Sequence, residues 1–207
     1  MNIVLKNISK KIDGIYLLNN INLNLKSGNI YGFVGSNGSG KTVLFKTIIG
    51  FMKETEGEIL IDGQKREGFL QNLGMIIERP NFIPYYNCMQ NLKIISAYNN
   101  KVTDEEIKNI IKKVGLNPDD KKKVKNYSLG MKQKLAIALA LMEDPKILIL
   151  DEPFNALDED SVLAMRKLIL EEKNKNKLIL IASHIKDDIF EMCDYVYKMK
   201  GGKLVNE

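Results

Sequence analysis

The sequence predicts an α/β domain built on a parallel sheet, with an antiparallel β subdomain at its N-terminal end and a block of helices inserted into it. Three observations carry this. The first sixty residues contain short segments in which apolar and polar positions alternate, as they do in half-buried strands. After Pro145 the pattern becomes strand, helix, strand, helix, strand, which implies a parallel sheet with helices on its faces. Between the two, residues 82–143 are largely helical in pattern. At 207 residues, with 44% hydrophobic and 28% charged, the chain can bury a large core without metals or disulfides, which excludes disordered and fibrous classes.

Taken in order, Ile3–Ile8 and Ile21–Leu25 read as strands, and Ser27-Gly28-Asn29 turns the chain. Ile30–Val34 reads as a buried strand, and Thr42–Ile49 as a short helix stopped by Gly50. Gly57–Ile61 and Met75–Ile77 are expected strands. Met89–Tyr98 and Asp104–Val114 are expected helices. The second carries Ile107, Ile110, Ile111 and Val114 on one face, a Thr103/Glu106 capping box and Gly115 as its stop. Ser128–Glu143 follows as an alanine- and leucine-rich helix. The closing region predicts strand Ile147–Leu150, helix Glu159–Lys173, strand Leu178–Ala182, helix Lys186–Cys193 and strand Tyr195–Met199. The expected organisation is one domain over 1–207, with 1–81 and 144–207 forming the core and 82–143 the helical insertion.

Apolar runs such as Ile147–Leu150 and Leu178–Ala182 stop far short of the ~20 residues of a membrane span. The N-terminal residues show no charged leader followed by a long apolar stretch, so the expected location is the cytoplasm. The net charge is +5, but only Arg66, Arg79 and Arg166 are arginine, which disfavours a protein that reads bases with guanidinium forks. The run Lys121-Lys122-Lys123-Val124-Lys125 reads first as a solvated loop and second as a contact for anionic lipid or phosphate. Cys88 and Cys193 form no C-x-x-C pair and are expected to be reduced.

The chemistry lies in three places. Gly35-Ser36-Asn37-Gly38-Ser39-Gly40-Lys41-Thr42 fits G-x-x-x-x-G-K-[ST], preceded by an apolar strand and followed by a helix. Glycines let backbone N–H groups curl around phosphate oxygens, and the helix N-terminus adds its dipole. Lys41 then neutralises the β- and γ-phosphates, and the Thr42 hydroxyl ligates Mg²⁺. Second, the apolar strand Ile147–Leu150 delivers Asp151 to the metal side of that loop, with Glu152 next to it to polarise an attacking water. Third, His184, the one histidine, sits just past the strand Leu178–Ala182, and ligands bind outside the carboxyl ends of parallel strands. If that strand neighbours the one carrying Asp151, His184 reaches the γ-phosphate. The core is thus expected to be a P-loop NTPase core.

Together these segments resemble the nucleotide-binding subunit of an ABC transporter along essentially the full length. Walker A is Gly35–Thr42 and Walker B is Ile147–Asp151, followed by Glu152. Asn155-Ala156-Leu157-Asp158 is similar to the D-loop, Ser183-His184 to the switch histidine, and Tyr127-Ser128-Leu129-Gly130-Met131 stands where the family carries LSGGQ. The resemblance implies a head-to-tail dimer in which ATP, with Mg²⁺, lies between Walker A of one copy and Ser128 and Gly130 of the other. It implies membrane permease partners, a peripheral position on the inner face of the membrane, and no nucleic acid. Three departures stand out. Leu129 and Met131 replace a glycine and a glutamine. Ile12 occupies the place of the adenine-stacking aromatic, with Tyr16 close by as a substitute. Glu78 replaces the Q-loop glutamine; facing Mg²⁺ through a water or turned toward a permease cation, it would connect ATP with the permease. Glu78 and the signature resemble the bacitracin-resistance and lantibiotic-immunity branch, which exports antimicrobial peptides. The alternative is a non-transport ABC ATPase that switches on DNA or ribosomes. A pseudo-ATPase is disfavoured by the presence of Lys41, Thr42, Asp151, Glu152 and His184.

Overall fold

The computed structural model describes residues 1–78, 80–98, 102–185 and 187–205. In chain order the elements are β1 (Asn2–Ile12), β2 (Ile15–Lys26), β3 (Ile30–Val34), α1 (Lys41–Ile49), β4 (Glu56–Ile61), β5 (Gln64–Lys65), β6 (Leu73–Ile76), α2 (Cys88–Ser96), α3 (Asp104–Lys113), α4 (Leu129–Leu141), β7 (Ile147–Asp151), α5 (Glu159–Asn174), β8 (Leu178–Ser183), α6 (Asp187–Phe190), β9 (Tyr195–Lys200) and β10 (Lys203–Val205). They form two sheets. An antiparallel one has the order β2-β1-β4-β5, and a second has the order β10-β9-β3-β8-β7-β6, parallel except for β10.

Continuous apolar runs make the central strands. All five residues of β3 and all six of β8 are buried, because helices and the other sheet cover both faces. The period of two then divides the side chains between two cores. Ile147, Ile149, Leu178 and Leu180 pack with β1, β2 and α1, whereas Leu148, Leu150, Ile179 and Ile181 pack with α2, α3, α4 and α5. The helical block α2–α4 lies between β6 and β7 in sequence, as expected of an insertion.

Several boundaries differ from the sequence reading. β1 and β2 are one long hairpin, closed at Asp13-Gly14 with φ of 48° and 81°, the type I′ geometry that matches strand twist. Asp62-Gly63 closes β4 onto β5 in the same way, so that a strand appears where none was expected; β10, after Gly201-Gly202, is a second such addition. The expected strand Met75–Ile77 is displaced to Leu73–Ile76, because Glu78 takes a left-handed φ of 61° and the chain leaves the sheet. Helix α2 starts at Cys88 under an Asn87/Gln90 capping box. Ser128 is the cap of α4, not its first turn. The helix expected over Lys186–Cys193 is corrected to the four residues of α6, with Lys186 outside the described residues. The chain must turn there to bring Asp194 to β3, where its carboxylate accepts from the Ile30 N–H at 2.7 Å and its own N–H donates to the Ile30 carbonyl at 2.9 Å.

Cys88 is buried and Cys193 half-buried, and both are free. Burial pushes the Cys193 thiol up to about 12. Among the described residues no helix is long and apolar enough to cross a membrane.

Gly74, in the middle of β6, lets α4 lie directly on the sheet. A Cβ there would stand 1.8 Å from the Ala140 carbonyl oxygen and 2.8 Å from Pro145 Cγ. Neither neighbour is the free end of a flexible side chain, so α4 would have to move. Gly74→Ala is expected to cost about 1–3 kcal/mol, the usual range for overpacking. For a chain of this size that corresponds to a fall in melting temperature of roughly 2–4 °C per kcal/mol, measurable by circular dichroism. An unchanged melting temperature would contradict the close approach.

Candidate functional site

Four neighbouring parallel strands, in the spatial order β3, β8, β7, β6, each end in one piece of the site at the carboxyl edge of the sheet. After β3 comes the loop Gly35–Gly40, which turns into α1 at Gly40 with φ 107°, a conformation that disfavours any side chain. The loop is braced from outside. The Gly202 N–H donates to the Ser39 carbonyl at 2.9 Å, and the Asn19 N–H to the Gly202 carbonyl at 2.8 Å. Lys41, 6% exposed, folds back over the loop and donates to the carbonyls of Gly35 at 2.7 Å and Ser36 at 3.3 Å. Its ammonium thus already sits over the concavity that phosphate oxygens would fill.

From β7 come Asp151 and Glu152. The Thr42 hydroxyl donates to Asp151 Oδ2 at 2.5 Å. Burial pushes the Asp151 carboxyl above its ordinary range; the Thr42 hydrogen bond works against this, and the Glu152 charge adds to it. Glu152 has a left-handed φ of 52°, and its N–H donates to the Ala182 carbonyl of β8 at 2.8 Å. A strained φ held by cross-strand pairing aims the side chain back over the loop. Glu152 Oε2 lies 2.8 Å from His184 Nδ1 and Oε1 lies 3.8 Å from Lys41 Nζ. Oε1 is buried and has no hydrogen-bond partner. A carboxylate only accepts, so the His184 contact requires the proton on Nδ1. The condition set for His184 holds: β8 pairs with β7, with Ala182 opposite Asp151.

A cavity of about 520 Å³ opens over the loop, lined by Tyr16, Asn37, Lys41, Thr42, Asp151 and Glu152 among others. A second, of about 410 Å³, lies across Asp151 and Glu152 and is lined by Glu78, Pro80, Phe82, Leu129, Gln133 and Asn155 among others. The two acidic residues form the wall they share.

Residues 18–155 match the family profile described as ABC transporter. The chain belongs to the ABC transporter family. Among its relatives are an uncharacterized ABC transporter ATP-binding protein, YybJ, of Bacillus subtilis (43% identical, covering 96% of this chain and 92% of that protein) and the bacitracin transport ATP-binding protein BcrA of Bacillus licheniformis (40%, 92% and 64%). A third is the lantibiotic transport ATP-binding protein SrtF of Streptococcus pyogenes (35%, 98% and 89%). The fold superimposes on the ABC transporter cassette MJ0796, solved as a dimer and in a post-hydrolysis state bound to ADP and Pi. The TM-score is 0.87 at 25% identity, over 99% of this chain and 97% of that one. The chain is thus an ATP-binding subunit of an ABC transporter and an ATPase, similar to the bacitracin and lantibiotic branch.

Within this ABC cassette the residues expected at the site fall into three groups. Gly35–Thr42, Tyr16, Asp151, Glu152 and His184 converge around the loop, with Glu78 on the adjoining cavity. Ile12 is not among the residues lining the loop cavity; its hairpin partner Ile15 is. Ser128, Gly130 and Asp158 line neither cavity. The Ser128 hydroxyl caps α4 by accepting from the Met131 N–H at 3.2 Å. Gly130 packs against the Ala156 carbonyl, which would stand 2.8 Å from any Cβ. The Asp158 carboxylate caps α5, and its hydrogen bonds with Ser161 hold it below the usual carboxylate range.

Two contacts were missed. Gln133 Nε2 donates to the carbonyls of Pro153 at 2.9 Å and Glu152 at 3.3 Å, tying α4 to the backbone that follows β7. Its only sequence signal is its place one turn into the helix that Ser128 caps. Within the chain, Glu78 Oε1 lies 2.5 Å from Lys46 Nζ on α1.

Proposed function

We propose that two copies of this chain close head to tail around ATP, each nucleotide held between Gly35–Thr42 of one copy and the Ser128 end of α4 of the other, and that closure drives a permease exporting antimicrobial peptides. The observation that carries this reading is the division of the site. Lys41, Thr42, Asp151, Glu152 and His184 form one wall around the loop, while Ser128 and Gly130 at the start of α4 line neither cavity of their own chain, although Leu129 and Gln133 beside them border the second. A helix N-terminus capped by a hydroxyl, with Gly130 beside it, suits a phosphate approaching from outside.

Each residue then has a role. Loop N–H groups and Lys41 hold the β- and γ-phosphates. Glu152 accepts the proton of the attacking water. His184 keeps that carboxylate oriented and reaches the γ-phosphate. Tyr16, with Lys11 Nζ 4.7 Å from its ring centroid, and Ile15 cover the adenine. Asp158 faces the dimer partner from the start of α5. Mg²⁺ fits the donors present: Thr42 and Asp151 offer a hydroxyl and a carboxylate in mutual contact, oxygen ligands of the kind this ion takes beside phosphate oxygens. When bound, it would supply charge neutralisation at the phosphates, with Glu78 bordering the adjoining cavity. The chain sits on the inner face of the membrane against permease subunits. The peptide cargo is supported by the names of BcrA and SrtF and by Glu78 in place of glutamine.

Ser128→Arg tests the arrangement. It places a bulky cation where the partner's nucleotide would lie. The expected result is a monomer that binds ATP like the wild type but neither dimerises on a sizing column nor turns over. Loss of ATP binding by the monomer would place Ser128 in its own chain's site and end the head-to-tail reading.

A further inference from the structure

We infer that Lys46 is the positioning residue for Glu78: a cation on α1 that holds this carboxylate at the rim, away from the phosphates. The inference rests on the reading that Glu78 faces the nucleotide.

Helix α1 carries two lysines with separate tasks. Lys41 lies over the loop, bonded to the Gly35 and Ser36 carbonyls. Lys46 stands four residues after Thr42, one turn along the same face. There it meets Glu78, which follows β6, takes a left-handed φ and lines the same cavity as Asp151 and Glu152. Three carboxylates thus border one cavity beside a site for a polyanion. Asp151 is buried and bonded to Thr42, and Glu152 lies between Lys41 and His184. Glu78 has Lys46. Without that partner its charge would add to the repulsion felt by an incoming triphosphate.

The exposure of the pair decides what kind of contact it is. The Glu78 side chain is 68% exposed and that of Lys46 29%. A pair so open to water contributes little to folding and is readily exchanged for another partner. It is a releasable hold, not a structural staple. A glutamine at position 78 would carry no charge for Lys46 to hold.

A double-mutant cycle on nucleotide affinity tests this. A fluorescent ATP analogue is titrated in EDTA, so that no divalent cation takes part, into the wild type, Lys46→Met, Glu78→Gln and the double variant. Lys46→Met is expected to weaken binding about fivefold, the size of one like-charge contact near a solvated surface. In the Glu78→Gln background the same change should shift affinity by less than about twofold, and Lys46→Arg should bind like the wild type. An equal loss in both backgrounds would mean that Lys46 acts on the nucleotide or the fold without Glu78, and would overturn the inference. So would no loss in either. Failure of the underlying nucleotide reading shows separately: Lys41→Ala would then bind the analogue as tightly as the wild type, whatever stands at positions 46 and 78.

Discussion

Glu152→Gln is expected to bind ATP and to hydrolyse it roughly 10²–10⁴-fold more slowly than the wild type, the usual cost of losing a general base. The change keeps the size of the side chain and its ability to meet His184, and removes only the negative charge. That charge is well placed to matter. Oε1 is buried and without a hydrogen-bond partner, 3.8 Å from Lys41, so an incoming water finds an acceptor already stripped of solvent. Because ATP holds the two copies together in the proposed arrangement, slow hydrolysis should also make the dimer accumulate. Sizing chromatography with ATP should show a dimer for Glu152→Gln where the wild type returns to monomer. Wild-type turnover in this variant would remove Glu152 from the reaction.

Lys41→Ala should act earlier, on binding. The ammonium is buried, donates to two loop carbonyls and lies over the phosphate concavity. A charge-assisted bond of this kind is worth about 1.5–3 kcal/mol, so ATP affinity should fall on the order of tenfold to a hundredfold. His184→Ala makes the contrast. Its contact is with the Glu152 carboxylate, not the loop, and its side chain is 42% exposed. Affinity should stay within about threefold while turnover drops. Titration with labelled ATP beside a phosphate-release assay separates the two. Equal losses of affinity would mean that His184 helps to hold the nucleotide.

The parts of this site that were legible in the sequence are those written contiguously. Gly35–Thr42 carries its chemistry in eight successive residues, and Asp151-Glu152 follows its strand directly. His184 was legible only conditionally, since its use depends on β8 lying beside β7, a matter of strand order. Lys46–Glu78 and Gln133–Pro153 join segments whose meeting is decided by packing, and neither residue type announces its partner. Other elements carry a local signal. Asp13-Gly14 is a strong hairpin turn, and placing it fixes Ile12 opposite Ile15 and Lys11 opposite Tyr16, which distinguishes Ile12 from the residues lining the cavity. Gly201-Gly202 and Asp62-Gly63 would likewise have revealed β10 and β5. Residues 186–193 read as one helix in the sequence, whereas α6 spans Asp187–Phe190. A tight turn ahead of Asp194 keeps Ile189 and Met192 buried equally well.

The bond from Gly202 to Ser39 makes the shape of the phosphate loop a property of the whole chain. A peptide comprising only β3, the loop and α1 would contain every residue of the recognisable motif and lack the clamp that gives it its curvature. Minimal nucleotide-binding fragments cut from this protein should therefore fail. Reporter domains appended just beyond β10 would pull on the same clamp. For anyone attaching a sensor or a purification handle, a surface loop of the helical block is the safer place.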